Sequence, residues 1–155
     1  MKKKLYLANP YGFSKQTKNL LDEFINIFND LNIEVYEPFD RSKQITRIEG
    51  KWAYDLAKSN FDDLKNCDCI FAIVNGTPPD EGVMIELGIA IALKKEIFLF
   101  RDDFRHCSDS NQYPLNLMLF LGLPKNNWKE YYFESLQEIR SNKKGFLKWA
   151  KESNN

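Results

Sequence analysis

The chain has 155 residues, and its 22 basic side chains are balanced by 22 acidic ones, so the formal net charge is zero. Because the charges are interspersed, no global field favours a nucleic acid polymer or an anionic membrane, and we expect small-molecule partners. The length fits a single domain, residues 1–155. The three cysteines and the one histidine, His106, fit neither a disulfide framework nor a common zinc site. No metal or organic cofactor is implied.

The first three elements predicted along the chain are a strand, a helix and a second strand. An apolar run at residues 3–8 ends at an Asn-Pro pair and predicts the first strand. This run is too short for a signal peptide, and no window approaches the roughly 18 apolar residues of a membrane span, so we expect a cytoplasmic protein. Ser14 is a suitable cap for the amphipathic helix that follows, and residues 33–38 predict a second strand stopped by Pro38.

The middle of the chain predicts a buried strand between two helices. A polar loop is expected at 39–48, followed by a helix near 49–66. Residues 68–74, DCIFAIV, form a continuous β-branched and aromatic run, which is typical of a strand covered on both faces. Two prolines then delay the next helix, which is expected to run to about Leu93.

The C-terminal third predicts two further strands and a last helix. Residues 96–100 form the fourth strand, and 101–112 are expected to be a polar loop. The sequence YYF at 131–133 predicts a short fifth strand, and Ser135–Glu138 has the pattern of a capping box that opens the last helix. Strands that alternate with helices at this spacing predict an α/β fold, in which helices cover both faces of a mostly parallel sheet.

Ligands in such folds bind beyond the carboxyl ends of the strands, near the switch in strand order. This rule selects the loops after the first three strands, at 9–13, 39–48 and 75–82. The glycines do not form G-x-G-x-x-G, and there is no Walker lysine, so the common dinucleotide and phosphate motifs are absent. Gly82 can serve close helix packing and is also a candidate substrate-binding residue.

One carboxylate, Glu86, interrupts the apolar helix that follows the proline pair. Because the prolines prevent an earlier start, the helix begins near Asp80, and Glu86 falls within its first two turns, where the helix dipole favours an ionised carboxylate. Apolar neighbours act in the opposite direction, so a buried and charged Glu86 needs a hydrogen-bond donor, and the phenol of Tyr6 is a candidate. Two alternatives stay open: Glu86 can point to solvent or bond the backbone, and Asp80 can be only an N-cap.

Three segments together resemble the nucleoside 2-deoxyribosyltransferases: LYLANPYGF at the N-terminus, PDEGVMIELGIA in the middle and PLNLML near residues 114–119. The resemblance implies a flavodoxin-like three-layer sandwich with a five-stranded sheet. It also implies a cofactor-free enzyme that transfers 2-deoxyribose between nucleobases, with small-molecule deoxynucleosides and free nucleobases as partners. A homo-oligomer with active sites shared between subunits is a further implication.

The same resemblance assigns roles to single residues. Glu86 matches the nucleophile that attacks C1′ of the deoxyribose, and Tyr6 matches the tyrosine whose hydroxyl holds that nucleophile. Asp80 matches the aspartate that hydrogen-bonds the base and helps to protonate it as it leaves. Three further residues match substrate-binding positions: Asn116, which reaches the nucleophile from a neighbouring subunit, and the aromatic residues Tyr11 and Phe13 around the nucleoside.

The sequence departs from the family at Asn60, where many members have an aspartate eight residues before the one that opens the third strand. An amide hydrogen-bonds a base but donates no titratable proton, so we expect Asn60 to affect base preference or base protonation. Asp62 and Asp63 are close in sequence but point elsewhere on a helix, and we interpret both as solvated surface.

Two other functions stay open at the level of sequence. Hydrolysis through the same intermediate, as in deoxynucleoside 5′-monophosphate glycosidases, needs phosphate-binding groups; Ser14 and Arg41 are candidates, but they form no compact cluster. A non-catalytic nucleotide-binding module is compatible with the fold. A ribohydrolase of the cytokinin-activating kind is disfavoured, because its PGGxGT loop is missing. The motifs do not distinguish purine from pyrimidine preference or a dimer from larger oligomers.

Overall fold

The computed structural model describes residues 2–45 and 51–152. Its strands are β1 (Lys4–Ala8), β2 (Glu34–Tyr36), β3 (Cys69–Ile73), β4 (Glu96–Phe100) and β5 (Tyr132–Phe133). They form a five-stranded sheet in the order β2-β1-β3-β4-β5, and every neighbouring pair is parallel. This is the flavodoxin-like order, whose ligand crevice lies where β1 meets β3. The α/β class is confirmed, and the sheet is parallel throughout rather than mostly so.

The helices of the described residues are α1 (Lys15–Asp30), α2 (Pro38–Gln44), α3 (Trp52–Asn66), α4 (Glu81–Ala92), α5 (Leu136–Ile139) and α6 (Gly145–Lys151). Ser14 caps α1 as expected, since its hydroxyl accepts a hydrogen bond from the Gln16 backbone N–H. None of these helices is long and apolar enough to cross a membrane.

Helix α2 corrects the prediction of a polar loop at 39–48. Pro38 does stop β2, but it also occupies the first turn of a helix, where a missing N–H costs nothing. The Glu37 carboxylate caps this helix by accepting hydrogen bonds from the backbone N–H groups of Phe39 and Asp40. Residues 46–48 of the predicted loop lie outside the described residues.

The strands alternate their side chains between two apolar layers, as the period of two requires. On one face, Tyr6 and Ala8 of β1 pack with Leu64 of α3 and with Val83 and Leu87 of α4. The phenol of Tyr6 is therefore directed toward the layer that carries Glu86.

The opposite face of the sheet packs on α1 and α6 through an aromatic cluster. Phe71 of β3 lies at its centre, and its ring contacts those of Phe24, Phe28, Phe98, Phe133 and Phe146 at centroid distances of 5.0–6.5 Å. Aromatic pairs at such separations add to the stabilisation from buried area. This layer packs against one face of the sheet, and the candidate site is built on the opposite face.

Two details near the C-terminal third differ from the predictions. The Ser135 side chain makes no cap hydrogen bond, and the Glu138 carboxylate accepts from the N–H of Glu134 rather than from that of Ser135, so neither hydrogen bond of a capping box is formed. The helix it opens, α5, is a single turn and is followed by α6. Arg101, expected in a polar loop, is instead fully buried.

Candidate active site

A cavity of about 250 Å³ opens at the carboxyl ends of β1 and β2 and beside the N-terminus of α4. Its position follows the rule that ligands bind at the switch in strand order, here between β1 and β3. The walls come from four parts of the chain: Asn9 and Gly12 after β1; Glu37, Pro38, Phe39 and Ser42 of the α2 segment; Leu56 and Asn60 of α3; and Asp80, Gly82, Val83 and Glu86 around the start of α4.

Glu86 is held by Tyr6, as the sequence suggested. The Tyr6 hydroxyl donates a hydrogen bond of 2.6 Å to Oε1 of Glu86. This contact joins the first strand to the second turn of α4, and it excludes the alternative in which Glu86 points to bulk solvent. The other carboxylate oxygen, Oε2, has no hydrogen-bond partner among the described residues and is free to meet a ligand.

Burial governs the charge of Glu86. Desolvation raises the pKa of this carboxyl from 4.5 to about 7, although the hydrogen bond from Tyr6 lowers it, and the charges of Asp80 and Glu37 raise it further. The pKa of the Tyr6 phenol lies far above its usual range, because the ring is buried and because an ionised phenol would face Glu86. Tyr6 therefore stays protonated and acts as a donor.

One carboxylate oxygen of Asp80 caps helix α4, and the other is available to a ligand. Its Oδ1 accepts a hydrogen bond of 3.1 Å from the Val83 N–H and so caps α4, which is the ordinary role of an aspartate at this position. Its Oδ2 has no hydrogen-bond partner among the described residues, and the side chain lines the same cavity as Glu86. The N-cap role thus leaves one carboxylate oxygen for a ligand.

The loop that carries Asp80 is clamped by two side chains outside the cavity. Arg101 donates hydrogen bonds to the carbonyl oxygens of Val74 and Gly76, at 2.6 and 2.9 Å. Asn75 donates to the Tyr11 hydroxyl at 2.8 Å and to Asp102 at 2.6 Å. These contacts explain the burial of Arg101 and fix the approach to α4.

The turn itself needs a glycine at position 76. Gly76 has a φ of 104°, and a Cβ added there would lie 2.9 Å from the Pro78 carbonyl oxygen. Both the backbone conformation and the contact exclude a side chain without a shift. Gly82 lines the cavity, as expected of a candidate substrate-binding residue, and a Cβ there would lie 3.2 Å from Asp80 Oδ1.

Asn60 presents an unpartnered polar atom. Its Oδ1 is buried and has no hydrogen-bond partner in the structure, while the residue lines the cavity together with Asp80 and Glu86. Leaving a buried acceptor unpaired costs about 1–3 kcal/mol. Such a group is expected where a ligand supplies the missing donor.

Asp63 is not surface, contrary to the sequence interpretation. It is 7% exposed, and its carboxylate forms an ion pair with Arg41. Nε of Arg41 lies 2.9 Å from Asp63 Oδ2, and Nη2 donates a hydrogen bond of 3.0 Å to Asp63 Oδ1. Arg41 also donates to the Ser59 hydroxyl, so its head is already engaged as a bridge between α2 and α3. Asp62 does lie at the surface, where it pairs with Lys58.

Two other predicted site residues, Tyr11 and Asn116, lie away from the cavity. Tyr11 does not line it; its hydroxyl is bound to Asn75, and the 3₁₀ turn that carries Tyr11 is held by Asn9. The Phe13 side chain lies outside the described part of the structure. Asn116 is exposed, and its Oδ1 caps the short 3₁₀ turn Leu117–Phe120 by accepting from the Met118 N–H, so it does not reach the cavity of its own chain.

Sequence reasoning missed the α2 wall of the cavity. Glu37 and Asn9 are 6% and 8% exposed, and they hydrogen-bond each other at 3.0 Å. Phe39 packs so closely on Gly12 that a Cβ added to this glycine would lie 2.8 Å from Phe39 Cβ. The Glu-Pro pair was only an ambiguous signal in the sequence, because a proline can open a helix as well as end a strand.

A shallower groove of about 200 Å³ adjoins the cavity on its other side, between α3 and α4. Asn60, Gly82 and Glu86 line both, and the groove adds mainly apolar side chains: Ala57, Phe61, Leu64, Ile85 and Ile89. Within residues 2–45 and 51–152, no group of three or more His, Cys, Asp or Glu side chains is arranged to hold a metal ion.

Comparison with known proteins identifies relatives of this chain. The family model for nucleoside 2-deoxyribosyltransferase matches residues 5–118. A 2-deoxyribosyltransferase from Bacillus psychrosaccharolyticus superposes with a TM-score of 0.70 at 24% identity, over 93% of this chain and 95% of that one. A 2-desoxiribosyltransferase from Leishmania mexicana gives 0.70 at 23% identity, over 94% and 97%. At these identities the two structures show the shared flavodoxin-like fold.

One curated sequence relative has a different name. A D-alanine–D-alanine ligase from Christiangramia forsetii is 27% identical over an alignment of 97 residues, which covers 54% of this chain and 28% of the ligase. The chain thus spans little more than a quarter of the length of that relative.

Proposed function

The chain belongs to the nucleoside 2-deoxyribosyltransferase family, and we propose that it moves 2-deoxyribose from one nucleobase to another through a covalent deoxyribosyl-Glu86 intermediate. The observation that carries the proposal is the 2.6 Å hydrogen bond from Tyr6 to Glu86 inside the cavity. It holds one carboxylate oxygen and leaves the other free, which is the arrangement that a nucleophilic carboxylate requires.

In the first displacement, Oε2 of ionised Glu86 attacks C1′ of a deoxynucleoside. A C1′–O bond forms as the C1′–N bond breaks, and the bonding electron pair passes to the nitrogen of the departing base. The sugar carries positive charge in the transition state, which the carboxylate stabilises before it captures C1′. Asp80, which takes up a proton from solvent before the base departs, donates that proton to the leaving nitrogen, since a base anion is a poor leaving group.

In the second displacement, a nitrogen of the acceptor base attacks C1′ from the face that the first base left. The C1′–O bond breaks, its electron pair returns to Glu86, and the N–H proton of the acceptor returns to Asp80. Two inversions give net retention at C1′. Every proton and electron pair is accounted for by Glu86, Asp80 and the two bases, and no cofactor takes part in any step.

Tyr6 acts on the nucleophile. Because its phenol stays protonated next to Glu86, it directs Oε1 and favours the ionised form of a carboxyl whose burial opposes ionisation. A hydrogen bond to a charged group contributes about 1.5–3 kcal/mol. Tyr6 therefore lowers the pH at which the nucleophile becomes available.

Asp80 and Asn60 are the groups we assign to the base. Asp80 offers Oδ2, and Asn60 offers a neutral carboxamide whose oxygen has no partner in the protein. A carboxamide both donates and accepts, so it complements a base edge without a change of charge. Proton transfer to the base then depends on Asp80 alone.

We assign Asn116 to the active site of a neighbouring subunit. It is exposed in its own chain, and its neighbours Met118 and Leu121 are each 65% exposed, as expected of residues that a second copy covers. Phe61 and Ile85, in the groove beside Glu86, are likewise exposed. The smallest complete site would then require two subunits.

The charges of the cavity favour nucleosides over nucleotides as substrates. Its described lining residues include the carboxylates of Glu37, Asp80 and Glu86 but no lysine or arginine. Arg41, the sequence candidate for phosphate binding, is paired with Asp63 instead. A phosphate dianion would meet repulsion rather than a cation in such a site.

The experiment is base exchange. The purified protein is incubated with a deoxynucleoside and a different free base, and the expected product is the new deoxynucleoside, which the Glu86→Ala variant should not form. Glu81→Ala, which removes an exposed carboxylate from the first turn of the same helix, is the matched control and should keep activity.

Each rival predicts another result. Free deoxyribose without exchanged product indicates hydrolysis, and tight nucleoside binding without any product indicates a non-catalytic module. Efficient exchange by Glu86→Ala would contradict the assignment of the nucleophile.

A further inference from the structure

Glu37 is a buried carboxylate of the cavity that none of the proposed chemical steps uses. It follows β2, and its exposed fraction is 6%. Carboxylates are almost never so buried unless they are paired, so this one requires an account. It lies in the same cavity wall as Phe39 and Ser42, across from the start of α4 that carries Asp80 and Glu86.

Three N–H groups anchor the Glu37 carboxylate. Oε1 accepts from Asn9 Nδ2 at 3.0 Å and from the Phe39 N–H at 2.9 Å, and Oε2 accepts from the Asp40 N–H at 2.8 Å. Asn9 is itself fixed, because its Nδ2 also donates to the Leu7 carbonyl and its Oδ1 accepts from the Tyr11 N–H.

This donor set complements a negative charge and leaves it in place. Two of the three donors are backbone N–H groups at the N-terminus of α2, where a carboxylate interacts favourably with the helix. No arginine or lysine forms an ion pair with Glu37 in the part of the chain that the structure describes, although the charge of Lys43, which pairs with Asp40, acts on it from beyond ion-pair distance. The one acceptor position left on Oε2 is open to a ligand or to water.

We propose that Glu37 is a specificity-determining residue, a fixed negative charge in the cavity wall that favours neutral deoxynucleosides over their phosphorylated forms. This inference rests on the proposed deoxyribosyl transfer and names the substrate class of that site. A phosphate dianion bound near Glu37 would meet this charge in addition to those of Asp80 and Glu86. A neutral nucleoside would not, and its sugar, positive in the transition state, would be stabilised by the same charge.

A second consequence concerns the nucleophile. The groups that act on Glu86 are Tyr6 from β1, Asp80 at the start of α4 and Glu37 before α2; the Arg41–Asp63 pair lies on the α2–α3 side. Burial raises the pKa of Glu86 most, the hydrogen bond from Tyr6 lowers it, and the charge of Asp80 and then that of Glu37 raise it further. Removing the Glu37 charge should therefore let Glu86 ionise at lower pH.

The test compares Glu37→Gln with Asp40→Asn. Glutamine keeps the size and one acceptor but not the charge; Asp40→Asn removes an exposed charge from the same helix, paired only with Lys43, and serves as the matched control. The measurements are the inhibition constant of a deoxynucleoside 5′-monophosphate, the KM of the nucleoside and the pH profile of exchange. In Glu37→Gln, the monophosphate should bind about tenfold tighter relative to the nucleoside, and the acidic limb of the pH profile should move to lower pH. Asp40→Asn should change neither.

The proposal would be overturned if Glu37→Gln left unchanged both the ratio of monophosphate to nucleoside affinity and the pH profile of exchange, since a purely structural role of Glu37 changes neither. If glutamine prevents folding, the wild-type enzyme provides the test: added salt should narrow the gap between nucleoside and monophosphate binding, because it screens the repulsion. A gap that does not respond to salt, or a wild type that binds both equally, contradicts the proposal. Failure of the proposed function is recognised separately, by the absence of base exchange in the wild type.

Discussion

Replacing Glu86 by glutamine should stabilise the protein at alkaline pH while it removes the nucleophile. The pKa of this carboxyl is about 7 in the folded chain against 4.5 for an ordinary glutamate. A group whose folded pKa is raised contributes stability below its unfolded pKa and loses it as pH rises through the folded pKa. The cost of ionising Glu86 in the fold is thus absent near pH 4 and complete above about pH 8.

The magnitude follows from the size of the shift. A difference of about 2.5 pH units, at about 1.4 kcal/mol per unit, gives an upper value of about 3.5 kcal/mol. Glutamine cannot ionise and still accepts the hydrogen bond from Tyr6 through its amide oxygen. Relative to the wild type, Glu86→Gln should therefore gain stability steadily between pH 4.5 and 8, by a total approaching this value.

Urea unfolding of both proteins at several pH values between 4 and 8.5 measures the difference directly. Glu81→Gln is the control, because this carboxylate is exposed on the same helix and its substitution should give a difference that is small and nearly constant with pH. A Glu86→Gln difference that stays flat over this range, or that favours the wild type increasingly at high pH, would refute the desolvation argument.

Three further outcomes are expected. The kcat/KM for exchange should rise with pH through about 7 as Glu86 ionises. Tyr6→Phe should lower the rate and move this acidic limb of the pH profile up by about one pH unit, because the hydrogen bond that lowers the Glu86 pKa is lost. An acidic limb at the same pH in Tyr6→Phe would show that Tyr6 does not act on the nucleophile. Asn60→Asp should change the relative kcat/KM of different acceptor bases, measured with a panel of bases, while the Glu86-dependence of exchange persists; identical base preferences would remove Asn60 from base recognition. Mixing inactive Glu86→Ala subunits with inactive Asn116→Ala subunits under conditions that allow exchange of subunits should restore part of the activity, because some hybrid sites contain both native residues; no recovery would mean that Asn116 serves no neighbouring site.

Much of the fold follows from local patterns in the sequence. The run at 68–74 has no alternation, and β3 is indeed covered on both faces, because the parallel sheet places helices on each side. The Tyr6–Glu86 contact was also accessible, since a lone carboxylate in an apolar helix requires a donor and the phenol lies on the first strand, which pairs with the strand that leads to this helix.

The features that escaped prediction depend on long-range contacts or on an ambiguous signal. Pro38 ends a strand and begins a helix at the same residue, and glutamate is not among the common N-cap residues, so α2 had no clear start signal. The burial of Asp63 depends on Arg41, 22 residues earlier and on another helix, which no periodicity within α3 can indicate. The clamp of Arg101 on the loop after β3 likewise exists only once β3 and β4 pair.

The most direct measurement is to trap the sugar on the protein. The enzyme is incubated with a deoxynucleoside in the absence of an acceptor base, quenched with acid and digested, and the peptides are analysed by mass spectrometry. We expect the mass of one deoxyribosyl group on the peptide that contains Glu86, its loss on addition of an acceptor base with formation of the new nucleoside, and no adduct in Glu86→Gln. An adduct on another residue, or exchange that proceeds with no covalent species under single-turnover conditions, would contradict the double-displacement mechanism through Glu86.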